Sequence, residues 1–500
     1  MSDAVLADLL TRFRAARERR AAWEPLWRDC YAHALPRRGA ARPGGGTDTT
    51  YDGTAADAVE QLAASLLAEL TPPWSSWLSL EPAPGVTAAE GRALAPMLED
   101  ATRRLLAQFH RSNFAVELHQ CFLDLACVGT ATLVFEEAPT GGPAAFAFTA
   151  VPADDVFVEA GPGGQLRGHF RVNRLRGAEL LQRYEPARLG PDLAERLERE
   201  PDRRVELVEA VLADAQGHAY AAFSNGGGDD VVLLDQGRFQ TSPFLTFRWT
   251  KGAGDVYGRS PVMTALPDVK TANKVVELVL KNASMAITGM WQADDDGVLN
   301  PHNVRLQPGA VIPKAPGSSG LTPLETPGRF DVSDLILDDL RARIRHTLLV
   351  DRLGPVKDAR MTATEVLERS GESARLLGAV YGRLSAELIE PLVRRALAIL
   401  VRRGEVPPAV LDRRVVEPRH QGPLARAQAR DDVRHVVSWI EQTQRLGGAA
   451  ADSVDVPAVA RWLARTLGVP AELVRDGPDV ADTVADAAAA IDALAGGGDE

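Results

Sequence analysis

Met361-Thr362-Ala363-Thr364-Glu365-Val366 marks a helix start, and the rest of the chain can be read outward from it. Thr362 and Glu365 hold the Thr-x-x-Glu spacing of a capping box, in which hydroxyl and carboxylate each satisfy an otherwise orphaned backbone N–H. Leu377, Val380, Tyr381, Leu384, Leu388 and Leu392 then keep one apolar stripe at helical spacing. The run closes at Arg402-Arg403-Gly404, with cations at the negative end of the dipole and a glycine suited to the left-handed C′ position. A run of roughly forty residues at 1.5 Å each predicts a helix about 60 Å long. Pro391 removes one of its hydrogen bonds and clashes with the carbonyl of Glu387, which predicts a kink there. Val393, Leu397, Ile399 and Leu400 surround the helix after that point, as expected of a segment buried between neighbours.

Upstream, a short charged loop from Asp351 to Arg360 feeds this helix, and before the loop a helix is predicted over 333–350. Asp334, Asp338 and Asp339 fall early in it and Arg341, Arg343, Arg345 and His346 late, as its dipole prefers. Leu337, Leu340, Ile344 and Leu348 form its buried stripe. A Gly/Pro/Asp-rich excursion, 289–329, separates it from a helix that begins at Ser260-Pro261, an N-cap hydroxyl followed by proline at the first helical position. Pro267 is expected to restart that helix. Beyond it Lys270, Lys274, Glu277 and Lys281 share the polar face, and Val269, Ala272, Val276, Val279 and Ala283 the apolar one.

The N-terminal part predicts a helix over 1–35 carrying Trp23 and Trp27, a Gly/Pro loop from Pro36 to Thr50, and helices over 54–70, 87–109 and 114–127. Short β runs follow at 131–135, 146–151, 156–158, 205–212, 231–234 and 244–249. Residues 404–500 read as helical segments with proline breaks, ending in an acidic stretch with eight Asp or Glu and one Arg from Glu472 onward. The fold class is α+β, mainly helical.

Composition removes several functions. Five hundred residues with 45% hydrophobic content bury large cores, and no apolar run reaches the roughly 18 residues of a membrane span. A cytoplasmic chain without membrane contact is expected. Cys30, Cys121 and Cys127 are too few and too spread for a disulfide framework or a metal site and read as core residues. The net charge of −12 argues against a protein that grips nucleic acid tightly, though not against one that lets it pass. No phosphate-cradling Gly-x-x-x-x-Gly-Lys-Ser/Thr loop occurs. Gly258-Arg259-Ser260 lacks the second glycine of a nucleophile elbow, and Ser260 reads as an N-cap. The histidines are unpaired at helical spacing, Asp294-Asp295-Asp296-Gly297 lacks the ligand pattern of a calcium loop, and Pro73-Trp74-Ser75-Ser76-Trp77 reads as core or subunit packing. No catalytic residue, metal or cofactor is called for.

Four segments carry a resemblance to the portal proteins, or head-to-tail connectors, of short-tailed double-stranded DNA bacteriophages. They are Tyr51-Asp52-Gly53-Thr54-Ala55 with Leu70 to Leu78; Val256-Tyr257-Gly258-Arg259-Ser260-Pro261 with Ala265 to Lys270; Met361 to Val366; and the helix near Glu390-Pro391-Leu392. Where the family pattern has Leu-Asn after the lysine, Thr271-Ala272-Asn273 stands here. The resemblance implies a ring, usually of about twelve copies, built from a wing, 1–259; two stem helices, 260–288 and 331–350; a clip, 289–330; a tunnel loop, 351–361; a kinked spine helix, 362–403; and a crown, 404–500. It implies passage of double-stranded DNA, with Lys270, Lys274, Lys281, Arg341 and Arg345 as candidates lining the stem channel. Asp351, Arg352, Leu353, Gly354, Pro355, Val356, Lys357 and Asp358 would face DNA from the tunnel loop, and Thr362, Glu365 and Pro391 would cap and kink the spine. The implied partners are further copies of the chain, major capsid and scaffolding proteins, the terminase large subunit and a tail adaptor. The implied location is the portal vertex of the virion, after assembly in the host bacterial cytoplasm. Another helical virion component, such as a head-tail adaptor or ejection protein, is the alternative that the helical content also accommodates.

Overall fold

The computed structural model describes residues 3–36, 50–73, 75–225, 231–288, 291–292, 316, 322–323, 330–350, 378, 380–421, 423–446 and 454–467. Met361 to Val366, the whole loop Asp351 to Arg360, most of 289–329 and the acidic end of the chain therefore lie outside the described residues. The chain divides into two compact units, one of 1–65, 117–134 and 149–355, the other of 66–116, 135–148 and 356–500.

The main helices are α1 (Asp3–Ala21), α2 (Glu24–Ala34), α3 (Thr54–Leu70), α4 (Ala88–Arg111), α5 (Phe114–Val128), α6 (Pro261–Thr288), α7 (Phe330–Thr347), α8 (Glu390–Arg402), α9 (Pro423–Leu446) and α10 (Val456–Leu467). The strands are β1 (Leu78–Pro82), β2 (Thr130–Glu137), β3 (Phe146–Val151), β4 (Val156–Ala160), β5 (Leu166–Arg176), β6 (Arg204–Asp214), β7 (Gly217–Asn225), β8 (Val231–Phe239), β9 (Phe244–Arg248), the two-residue pair β10 (Trp291–Gln292) and β11 (Thr322–Pro323), and β12 (Val416–His420).

In the first unit β4 to β8 form an antiparallel sheet in sequence order. The period-two pattern of β6 sends Val208, Ala210 and Leu212 to one face, where Leu9, Phe13 and Ala16 of α1 cover them. Val205 and Leu207 point the other way, onto Leu180, Leu189, Leu193 and Leu197 of three short helices within 177–199. β2 pairs with β9 through Thr130↔Arg248 to Val134↔Phe244, and the buried hydroxyls of Thr132 and Thr246 meet at 2.8 Å. The helix expected over 1–35 is two helices, because Pro25 lacks the N–H that would continue α1 and instead opens α2.

In the second unit β1 pairs antiparallel with β12, from Leu78↔His420 to Pro82↔Val416. Thr87 caps α4 with a complete capping box: its hydroxyl accepts from the Glu90 N–H, and the Glu90 carboxylate accepts from the Thr87 N–H at 3.1 Å. Trp77 is buried against Phe109 and Phe114, so it is a core residue. A five-residue π-helical turn, Ser385–Ile389, precedes α8, and Pro391 is the second residue after it. The wider turn takes up the position where a proline ring would meet the carbonyl of an α-helix. Val393, Leu397, Ile399 and Leu400 are buried within this single chain. The expectation that neighbouring subunits cover them is corrected: they complete the core of their own unit. Arg395, on the same helix, is buried too and donates to the carbonyl of Phe135 at 2.7 Å.

Candidate functional site

The candidate site is the pair of helices α6 and α7, both in the first unit. Helix α6 starts where the chain has no freedom. Ser260 Oγ accepts from the Met263 N–H at 2.9 Å and donates to the Cys127 carbonyl at 2.8 Å, so the N-cap expected of Ser260 is also tied to α5. Just before it, the Gly258 N–H donates to Thr130 Oγ1 at 2.8 Å, and the Arg259 N–H donates to the Thr250 carbonyl at 2.7 Å. Tyr257 is buried, its hydroxyl accepting from the Val158 N–H at 3.3 Å and its ring standing edge-on to Trp27 at 5.1 Å. Burial pushes its phenol up to about 12, so it stays neutral.

From this anchor α6 runs as one helix through Pro267, without the restart expected there. The cost is a single missing N–H. Val262, Ala265, Leu266, Val269 and Ala272 are buried, and Leu337, Leu340 and Ile344 make the buried stripe of α7, which Leu348 continues just past its end. Arg343 joins the two helices through Asp268 at 2.9 Å.

The cations named from the sequence are held in different ways. Lys274 and Lys281 share one carboxylate, Glu277, at 2.9 and 2.6 Å. The two lysine hydrogen bonds hold the Glu277 carboxyl below its ordinary range. Lys270 reaches Asp29 of α2 at 2.5 Å. Arg341 turns onto Asp52, and Arg345 is exposed. Of the remaining candidates, Asp351, Arg352, Leu353, Gly354, Pro355, Val356, Lys357, Asp358, Thr362 and Glu365 lie outside the described residues.

Sequence reasoning missed the carboxylates and the amide that fix this pair. Asp52 Oδ1 caps α3 through the Thr54 N–H at 2.9 Å, while its Oδ2 receives Arg341. Burial acts to raise the Asp52 carboxyl, but the hydrogen bonds from Thr54 and Arg341 outweigh it and the net direction is down. Asn273 of α6 accepts the backbone N–H groups of Tyr51 and Asp52 at 2.6 and 3.1 Å. The signal available was Asp52-Gly53-Thr54 ahead of an apolar period, a helix N-terminus whose cap has a second oxygen to spare. Among the described residues no group of His, Cys, Asp and Glu is arranged to hold a metal ion.

A family model described as bacteriophage head to tail connecting protein matches residues 6–474. The chain is 24% identical over 504 aligned residues to a probable portal protein of Bordetella phage BPP-1, covering 95% of this chain and 89% of the relative. It is 24% identical over 444 residues to the portal protein of Salmonella phage epsilon15, covering 84% of this chain and 78% of the relative. Among solved structures, a chain of the virion of a native gene transfer agent particle aligns with a TM-score of 0.38 at 15% identity, covering 82% of this chain and 89% of that one.

Proposed function

The chain belongs to the bacteriophage head to tail connecting proteins, and on that premise we propose that copies of this portal protein close into a ring of about twelve subunits through which double-stranded DNA enters the head and later leaves it. In this reading the role is structural rather than catalytic, α6 and α7 line the channel, and the protein sits at the portal vertex of the virion after assembly in the host cytoplasm. The clip, 289–330, meets the terminase large subunit and then the tail adaptor, while the outer parts meet capsid and scaffolding proteins. The loop 351–361 is the narrowest point, and the helix that follows it is the spine.

The observation that carries the channel is the internal pairing of the α6 cations. B-DNA presents about one negative charge per 1.7 Å, and each phosphate neutralised strengthens binding. Lys274 and Lys281 already share Glu277. Each must exchange that carboxylate to take a phosphate, so the gain per contact is small. A wall of this kind attracts duplex without arresting it. Lys274→Glu combined with Lys281→Glu tests the reading in assembled particles. Rings of wild-type size by native mass spectrometry, with a reduced amount of packaged DNA, are expected. Wild-type protein that remains monomeric at micromolar concentration removes the ring, and rings with unchanged DNA content remove the role given to these lysines.

A further inference from the structure

The second unit contains a hydrogen-bonded chain that the channel reading does not use. Tyr381 Oη lies 2.6 Å from His420 Nδ1, and His420 Nε2 lies 2.6 Å from the carbonyl oxygen of Leu70. A carbonyl only accepts, so Nε2 carries the hydrogen and donates to Leu70. In the neutral ring Nδ1 is then bare and accepts the Tyr381 hydroxyl. Three elements meet at this one imidazole: the last residue of α3, the end of β12, and the helical stretch that leads into the π turn Ser385–Ile389.

We propose that Tyr381, His420 and the Leu70 carbonyl form a proton-operated latch, which holds the stretch ahead of the π turn against the β1–β12 pair and lets it go when His420 is protonated. Protonation places a hydrogen on Nδ1, so the bond to Tyr381 survives only if it reverses, with the phenol oxygen accepting and its own hydrogen turned elsewhere in a half-buried site. Among the described residues it also leaves a charge with no counter-charge at hand. Arg419 beside it on β12 is bonded to Glu81 of β1 at 3.1 Å. Arg383 of the helical stretch is bonded to Glu387 at 3.3 Å. Glu69 of α3 has its own carboxyl pushed up by burial, and Trp77, ahead of β1, presents an aromatic ring 6.2 Å away. Burial lowers the His420 imidazole, and the Leu70 bond only partly opposes it.

The π turn makes this stretch the one for a latch to govern. A turn with i→i+5 bonds is poorer in hydrogen-bond geometry than the α-helix on either side and recurs at places where helices change shape. Residues 380–384 are tied down by Tyr381 on one side of it, while α8 on the other side is sealed by its own buried residues. Losing the tie frees the first part without touching the second.

Amide hydrogen exchange of the full-length protein, corrected for intrinsic rates and followed from about pH 7.5 to about pH 5, tests the latch. Protection of 380–389 is expected to fall several-fold as the pH drops, while that of 390–402 holds. His420→Gln keeps a donor for Leu70 and an acceptor for Tyr381 without titrating, and is expected to flatten the pH dependence. Tyr381→Phe is expected to show low protection of 380–389 at every pH. Wild-type protection of 380–389 that does not change with pH overturns the proposal even if a variant fails to fold. So does a pH dependence that survives in His420→Gln.

Discussion

Asp52 and Arg341 stand 289 positions apart, yet both Nε and Nη2 of the arginine lie 2.9 Å from one oxygen of the aspartate. The aspartate side chain is 4% exposed and the arginine 36%. The other aspartate oxygen caps α3, so one side chain fixes a helix start and the second of the paired helices together.

Asp52→Ala removes the cap and leaves Arg341 unpaired, and it is expected to cost about 2–4 kcal/mol. Asp52→Asn keeps the cap oxygen and gives up the charge, and should cost about 1.5–3 kcal/mol, the range of a hydrogen bond to a charged group. Denaturant unfolding followed by circular dichroism measures both. Because the folded carboxyl is lowered, the pair's contribution is present above the ordinary carboxylate range and is lost only as the pH falls through the lower folded value.

His169, on β5, acts in the same direction but in a higher pH window. It is buried, stacked on Phe244 with ring planes 6° apart. Burial first, and then the charges of His218 and Arg248, push its imidazole from 6.5 to about 4. The unfolded chain therefore binds a proton that the folded chain refuses, and stability falls as the pH drops from about 6.5 to about 4, then levels off. The full loss is about 3 kcal/mol. Unfolding midpoints of the wild type across that window, compared with His169→Gln, should show the variant losing much less.

Gly258 and Gly129 pass each other so closely that a Cβ on Gly258 would lie 2.0 Å from the Gly129 carbonyl oxygen. Gly129 is itself in the left-handed region, at φ 77°. Backbone is on both sides of this contact, so no side chain can move to relieve it. Gly258→Ala is expected to destabilise by about 3 kcal/mol or more and to lower the melting temperature, whereas Gly254→Ala should cost about 1 kcal/mol for its positive φ alone, since nothing lies within 4 Å of the position.

Strong periods were readable from the residues. Helices α3, α6 and α7 appear at or within a few residues of the expected bounds, because each has an apolar stripe broken by a cap or a proline. β5 carries little sequence signal because Arg171, Asn173 and Arg174 interrupt any hydrophobic run, leaving Phe170 and Val172 as the only large apolar side chains buried in it. β1 and β12 carry no local signal, since each is completed only by a partner more than three hundred residues away, as the 338-residue separation of Glu81 and Arg419 shows. In the candidate site the lysine face followed from helical geometry. Its ion pairing did not, because Asp29 and Glu277 act through the tertiary structure or a chosen rotamer. The capping box expected at Thr362 and Glu365 lies outside the described residues, while the same spacing at Thr87 and Glu90 forms a complete one.

The π turn at Ser385–Ile389 has a geometrical consequence for the long helical run. An α-helix advances by about 100° per residue, so one extra residue in a turn is a phase slip of that size between what comes before and what comes after. Val380, Tyr381 and Leu384 ahead of the slip therefore share a bearing that differs from that of Leu392 beyond it, and a side chain ahead of the slip looks about a quarter-turn away from where an unbroken helix would aim it. The π turn works as a coupling with a built-in offset, which sets the direction in which residues 380–384 are presented relative to α8.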